Sequence, residues 1–124
     1  SYSEELNGVV GEVLLTPTRI YCKQVLDVIH NIDVHGVAHI TGGGFDENIP
    51  RILRDGMGLD IVEGSWPILP IFKFLEKYGK VNHREMFNIY NMGIGMVLAL
   101  DNEEDAKKMF KMQDDIMDHF KIVR

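Results

Sequence analysis

A chain of 124 residues, 45% hydrophobic and 26% charged, has the length and apolar content of one globular domain with its own core. A net charge of −6 with scattered basic residues argues against a nucleic-acid binder, and no apolar run is long enough to span a bilayer. The single cysteine, Cys22, excludes an intrachain disulfide and points to a reducing, cytoplasmic compartment.

The opening "SYSEELNG" is polar and acidic; it reads as a linker or frayed terminus, not as a secretory signal. "VVGEVLL" is rich in β-formers and predicts a strand. Thr16, Pro17 and Thr18 are helix-start residues. Ile20, Val25, Leu26, Val28, Ile29 and Ile32 follow at helical spacing, which predicts a helix from about Thr18 to Asn31. Cys22 falls inside it as a small helix residue. "GVAHI" predicts a short buried strand that runs into Gly42, Gly43 and Gly44. Asn48 can cap a short helix, "IPRILRD", with Pro50 in its first turn.

"GLDIVE" alternates like a strand, and "PIFKFLEKYG" reads as a helix ended by Gly79. "NHREMFNIY" predicts a second short helix capped by Asn82, with His83, Arg84 and Glu85 on an exposed face. Trp66 is a core or interface residue. "NMGIGMVLAL" is a glycine-kinked loop entering a buried strand. "NEEDAKKMFKMQ" is an amphipathic helix capped by Asn102, with its acids at the favourable end of the dipole. "HFKIV" reads as a final strand. Alternating strands and helices give an α+β (α/β layered) domain, a mixed sheet with helices packed on it.

Three consecutive glycines are a costly way to build backbone, so the loop needs positions without side chains. A strand, a glycine run and a helix start form a recurring anion-binding arrangement, in which successive N–H groups point into one concavity. Thr41 adds a hydroxyl and Arg51 a bidentate cation. A tight, densely packed turn is the competing explanation, and the loop matches neither a P-loop nor the dinucleotide fingerprint. In the second glycine loop, Asn91 can donate and accept beside Gly93 and Gly95, or the glycines can mark a bulge. His39, two residues before Thr41, is either a hydrogen-bonded core residue or a group that binds substrate or moves a proton. His30, Asp33, His35 and His39 match no metal-site spacing, so no metal ligands are assigned.

Four segments, "LLTPTRIY", "DVHGVAHITGGGFDENIPR", "GSWPILPIFKFLEKYGKV" and "EMFNIYNMGIGMVLAL", occur in order over Gly11 to Leu100. Together they resemble the C-terminal domain of the phosphoribosylformylglycinamidine cyclo-ligase (aminoimidazole ribonucleotide synthetase) family. Related ATP-using enzymes of the same fold do not carry "HITGGG" followed by "ENIPR".

The resemblance implies an ATP- and Mg²⁺-dependent ligase that closes the imidazole ring of purine biosynthesis, releasing aminoimidazole ribonucleotide, ADP and phosphate. Residues 1–12 would then be the end of an interdomain linker and 13–124 the C-terminal domain. The partners would be an absent N-terminal ATP-binding domain, the phosphorylated nucleotide substrate and, for the full-length enzyme, a second copy. No nucleic acid and no membrane are implied. The loop residues Thr41, Gly42, Gly43, Gly44, Asn48, Arg51 and Asn91 become candidates for the substrate phosphate, with His39 as a possible catalytic group. The chain alone is expected to be inactive and to hold at most a phosphate or sulfate ion. "MQDDIMDHFKIVR" lacks the glycine with which the family closes its last turn. A freestanding, non-catalytic anion- or nucleotide-binding module of the same fold is the alternative.

Overall fold

A computed structural model describes residues 1–112 and 120–123. β1 (Tyr2–Ser3) and β2 (Gly8–Val9) form an antiparallel ladder that pairs Tyr2 with Val9. The polar start of the chain is therefore hydrogen-bonded, and Lys77 ties it to the body of the domain through an ion pair with Glu5. The predicted strand at "VVGEVLL" is instead a short helix, α1 (Val10–Leu14). Strand propensity reflects packing on a half-buried pleated surface, and no residue of α1 is buried.

α2 (Cys22–Asn31) begins four residues later than expected and buries Val28. β3 (Val34–His39) pairs antiparallel with β5 (Met96–Leu100), setting Val34 opposite Leu100 and His39 opposite Met96. Side chains on successive residues of a strand face opposite ways. In β5, Val97 joins the main core, while Leu98 and Leu100 pack against Val28 of α2 and Met109 of α6 (Glu103–Met112). The ladder thus lies between two apolar clusters. The larger includes Ala38, Ile40, Phe45, Trp66, Met86 and Met92.

α3 (Gly44–Asn48) continues directly into a 3₁₀ turn, Ile49–Ile52. β4 (Gly58–Ile61) pairs with β6 (Phe120–Val123). α4 (Pro70–Gly79) has the predicted bounds, but its left-handed stop is Lys80 (φ 52°) rather than Gly79. α5 (His83–Ile89) is capped by Asn82, which accepts from the Arg84 amide at 2.9 Å. Arg84 then forks onto Asp46 with two 3.0 Å bonds, fixing α5 to the start of α3.

The class is α+β, as expected. Among the described residues the strands pair as three separate two-stranded antiparallel ladders, where a mixed sheet was expected. No described helix is long and apolar enough to cross a membrane.

Candidate ligand-binding site at the glycine loop

β3 delivers the chain to the loop at His39, and the Ile40 amide then donates to the Gly95 carbonyl at 2.8 Å, bringing the two glycine loops side by side. A turn from Thr41 to Gly44 closes with the Gly44 amide on the Thr41 carbonyl at 3.0 Å. Gly43 and Gly44 both have left-handed backbones, with φ of 94° and 57°. A Cβ on Gly44 would overlap the Phe87 carbonyl, and one on Gly43 would run into the Glu47 side chain. The fold itself therefore requires these two glycines. Gly42 is different: its φ is not positive, and a Cβ there would meet nothing within 4 Å.

Asn48 was expected to cap the following helix. It occupies that position but makes no capping bond with its side chain. It is the one buried polar side chain among the described residues. Its amide nitrogen donates to the carbonyls of Thr41 (3.3 Å), Gly42 (3.2 Å) and Gly44 (2.7 Å). Its oxygen accepts from the Thr41 hydroxyl at 3.4 Å. A trans peptide points C=O and N–H in opposite directions. With the Thr41 and Gly42 carbonyls turned toward Asn48, the N–H groups of Gly42 and Gly43 face away from it. Neither N–H has a partner among the described residues.

An open cleft of about 410 Å³ lies beside this loop. Its wall includes three sequence-predicted site residues, His39, Thr41 and Asn91. Gly42, Gly43, Gly44, Asn48 and Arg51 are not part of the wall. His39 is exposed, which removes its reading as a core residue. Arg51 is exposed on the 3₁₀ turn, with no ion-pair partner among the described residues. Asn91 accepts from the Gly93 amide at 2.9 Å. Sequence reasoning missed Thr18, Phe72 and Tyr90, which complete the wall with Ile40, Ile89 and Gly95. Thr18 lies within "LLTPTRIY" and Tyr90 adjoins Asn91, so both sat inside motifs already singled out. Phe72 also lies inside a quoted segment, "GSWPILPIFKFLEKYGKV", but nothing in its local pattern set it apart from the other apolar residues of that helix.

Elsewhere, His35 Nε2 lies 3.3 Å from Asp33 and 3.2 Å from Asp101, and the three could surround a cation. Asp33 and Asp101 adjoin the Val34–Leu100 end of the ladder, whereas the cleft adjoins the His39–Met96 end. Six residues of strand separate the ends by roughly 16 Å. The grouping differs from the histidines considered in the sequence: it takes in Asp101 and leaves out His30 and His39. All three residues are exposed, and His35 already lies against both carboxylates.

Three cyclo-ligases show how far the sequence likeness extends. The chain is 55% identical over 106 residues to the phosphoribosylformylglycinamidine cyclo-ligases of Bacillus thuringiensis (strain Al Hakam) and Bacillus cereus (strain AH820). Those residues are 86% of this chain and 30% of each relative. A third enzyme of that name, from another strain of Bacillus cereus, is 56% identical over 103 residues, 83% of this chain and 30% of the relative. The chain thus spans just under a third of the length of these relatives. The model of one domain family, "AIR synthase related protein, C-terminal domain", matches residues 2–115, and the chain belongs to that family.

Proposed function

We propose that this chain is the C-terminal part of an ATP-dependent phosphoribosylformylglycinamidine cyclo-ligase of purine biosynthesis. The observation that carries the reading is the 55% identity over 86% of the chain to proteins of that name. In the proposed reaction ATP phosphorylates the formyl oxygen of formylglycinamidine ribonucleotide. A substrate nitrogen then attacks the activated carbon and closes the ring, and phosphate leaves. Aminoimidazole ribonucleotide and ADP are the other products. Such chemistry depends mainly on positioning and on stabilising phosphoryl charge.

The glycine loop suits the second task. The outward N–H groups of Gly42 and Gly43 supply donors for a phosphate oxygen, and Arg51 supplies a cation that has no competing carboxylate among the described residues. Asn48 keeps the loop carbonyls turned away from the anion. Thr41 and Asn91 bound the cleft beside it, and His39 offers an exposed imidazole for binding or proton transfer. The cleft wall contains no carboxylate among the described residues and does not fit Mg²⁺. The metal and ATP belong in this reading to an N-terminal domain. A cytoplasmic location and a homodimer of the full-length enzyme are parts of the same proposal.

The test is a chimera in which this chain replaces the matching segment of the Bacillus cereus enzyme. It should form aminoimidazole ribonucleotide with ATP, Mg²⁺ and substrate, whereas the 124-residue chain alone should not. In the chimera Arg51→Lys should lower kcat/KM by about tenfold or more, the scale of a lost charge-assisted bond of about 1–3 kcal/mol, and Gly42→Ala, which keeps the N–H, should lower it by placing a methyl group where the anion approaches. A folded but inert chimera whose loop still binds phosphate would favour the freestanding anion-binding module.

A further inference from the structure

We propose that Asp33, His35 and Asp101, at the end of the β3–β5 ladder remote from the cleft, form a binding site for a divalent first-row transition metal ion such as Zn²⁺. The donors are one imidazole nitrogen and two carboxylate oxygens, all within 4.8 Å of one another. They come from both sides of the ladder. Val34 pairs with Leu100, so Asp33 and Asp101 flank its last pair from opposite strands. The pairing then steps from Val34–Leu100 to Gly36–Ala99, which leaves His35 as the extra residue of a β-bulge. A bulge re-aims the inserted side chain. His35 meets both carboxylates with one and the same nitrogen, Nε2.

A metal ion accounts for that convergence better than a shared proton does. One imidazole nitrogen carries at most one hydrogen and donates one well-formed bond. A charge-assisted N–H···O bond is about 2.7–2.9 Å long. The two contacts are 3.3 and 3.2 Å, long for such a bond and nearly equal. Ligand atoms about 2.0–2.1 Å from a tetrahedral ion lie roughly 3.3 Å apart, close to both contacts. Among the described residues neither aspartate has a Lys or Arg within ion-pair distance. Lys108, which reaches this end of the domain, donates to the Asn31 carbonyl instead. The side chains of Asp33 and Asp101 are 80% and 60% exposed, so they turn inward at little cost and leave room for water as further ligands. Carboxylates alone would suit Mg²⁺ or Ca²⁺ as well; the imidazole tilts the set toward Zn²⁺ and its neighbours. A bound ion would clip the start of β3 to the residue that follows β5, apart from the cleft chemistry.

Calorimetric titration of the 124-residue chain with ZnCl₂, and separately with MgCl₂, tests this. Zn²⁺ should bind one to one and raise the melting temperature, and Mg²⁺ should do neither at the same concentrations. His35→Ala should weaken Zn²⁺ binding about tenfold or more, since even groups that only support a metal ligand are worth that much. Asp33→Asn and Asp101→Asn lie at exposed positions, should leave circular dichroism unchanged, and should each weaken Zn²⁺ binding as well. His30→Gln, a histidine outside the trio, should bind Zn²⁺ like the parent. No saturable Zn²⁺ binding at millimolar concentration overturns the proposal. So does binding indifferent to His35→Ala and Asp33→Asn, which would leave the trio as ion pairs only. Equal binding of Mg²⁺ would reduce it to a patch of negative charge and overturn it too.

Discussion

The two glycine loops meet at one end of the β3–β5 ladder and look alike in sequence, yet they solve different problems. In "TGGGF" the left-handed positions are Gly43 and Gly44, because α3 must turn tightly against the carbonyl end of α5. In "NMGIG" the left-handed positions are Gly93 (φ 92°) and Met92 (φ 51°), the second a non-glycine residue whose side chain is buried in the core. The Trp66 indole donates to the Met92 carbonyl at 2.9 Å, fixing that loop from the core side. Gly95 is small for a third reason: the Tyr21 ring lies where its Cβ would be. A glycine run therefore does not locate a ligand by itself. The informative glycine is the one whose lack of a side chain the fold leaves unexplained, and in the first loop that is Gly42.

Exchanging these roles by mutation should produce very unequal effects. Gly44→Ala should be the most damaging, because it combines a strained φ with overlap onto backbone. A loss of about 3 kcal/mol or more in urea unfolding is expected. Gly42→Ala should stay within about 1 kcal/mol of the parent on either side. Equal stabilities for the two variants would remove the distinction between structural and free glycines.

The two loops also differ in what satisfies their carbonyls, and single substitutions can separate the anchors. Asn48→Leu removes the amide shared by three loop carbonyls and should cost about 1–3 kcal/mol. Trp66→Phe removes the indole bond to the Met92 carbonyl and should cost nearer about 1 kcal/mol beyond its packing loss. If Asn48→Leu proves neutral in chemical denaturation, Asn48 is not what shapes the first loop. His39→Asn should leave stability within about 0.5 kcal/mol, since the side chain is exposed. A fall in chimera kcat/KM at unchanged melting temperature would then place His39 in the site.

What could be read in advance follows the same division between local and distant causes. The bounds of α4 and the caps Asn82 and Asn102 were legible because each depends on residues within one helical turn. The strand expected at "VVGEVLL" failed because β-branched residues form a strand only where a neighbouring surface exists to cover them. Asn48 reads locally as a cap, yet its partners lie four to seven residues upstream, reached only after the glycine turn folds back. The Arg84–Asp46 fork spans 38 positions, and no local pattern announces it. The site was half legible for the same reason. His39, Thr41 and Asn91 flank visible glycine motifs, whereas Phe72 enters the cleft only through tertiary packing.

The smallest expected effect concerns the far side of α5, which the sequence presents as a plain exposed face. His83 bridges two carboxylates, with Nε2 2.6 Å from Glu63 and Nδ1 2.9 Å from Glu76. The bond to Glu63 first, and that to Glu76 second, raise its pKa above the ordinary histidine value of 6.5. A raised folded-state pKa contributes stability that is complete below the unfolded value and is lost as pH rises through the folded one. Melting temperature should therefore decline from about pH 6.5 upward more in the parent than in His83→Gln. The effect should be modest, because the side chain is 53% exposed and water screens the pairs. Salt at about 0.5 M should shrink it further, which separates the ion pairs from any packing role of the ring on Phe87. Parallel pH profiles for the parent and His83→Gln would show that the bridge between α5, α4 and the Glu63 turn does not contribute to stability. That result would leave Arg84–Asp46 as the polar tie between α5 and the loop that carries the site.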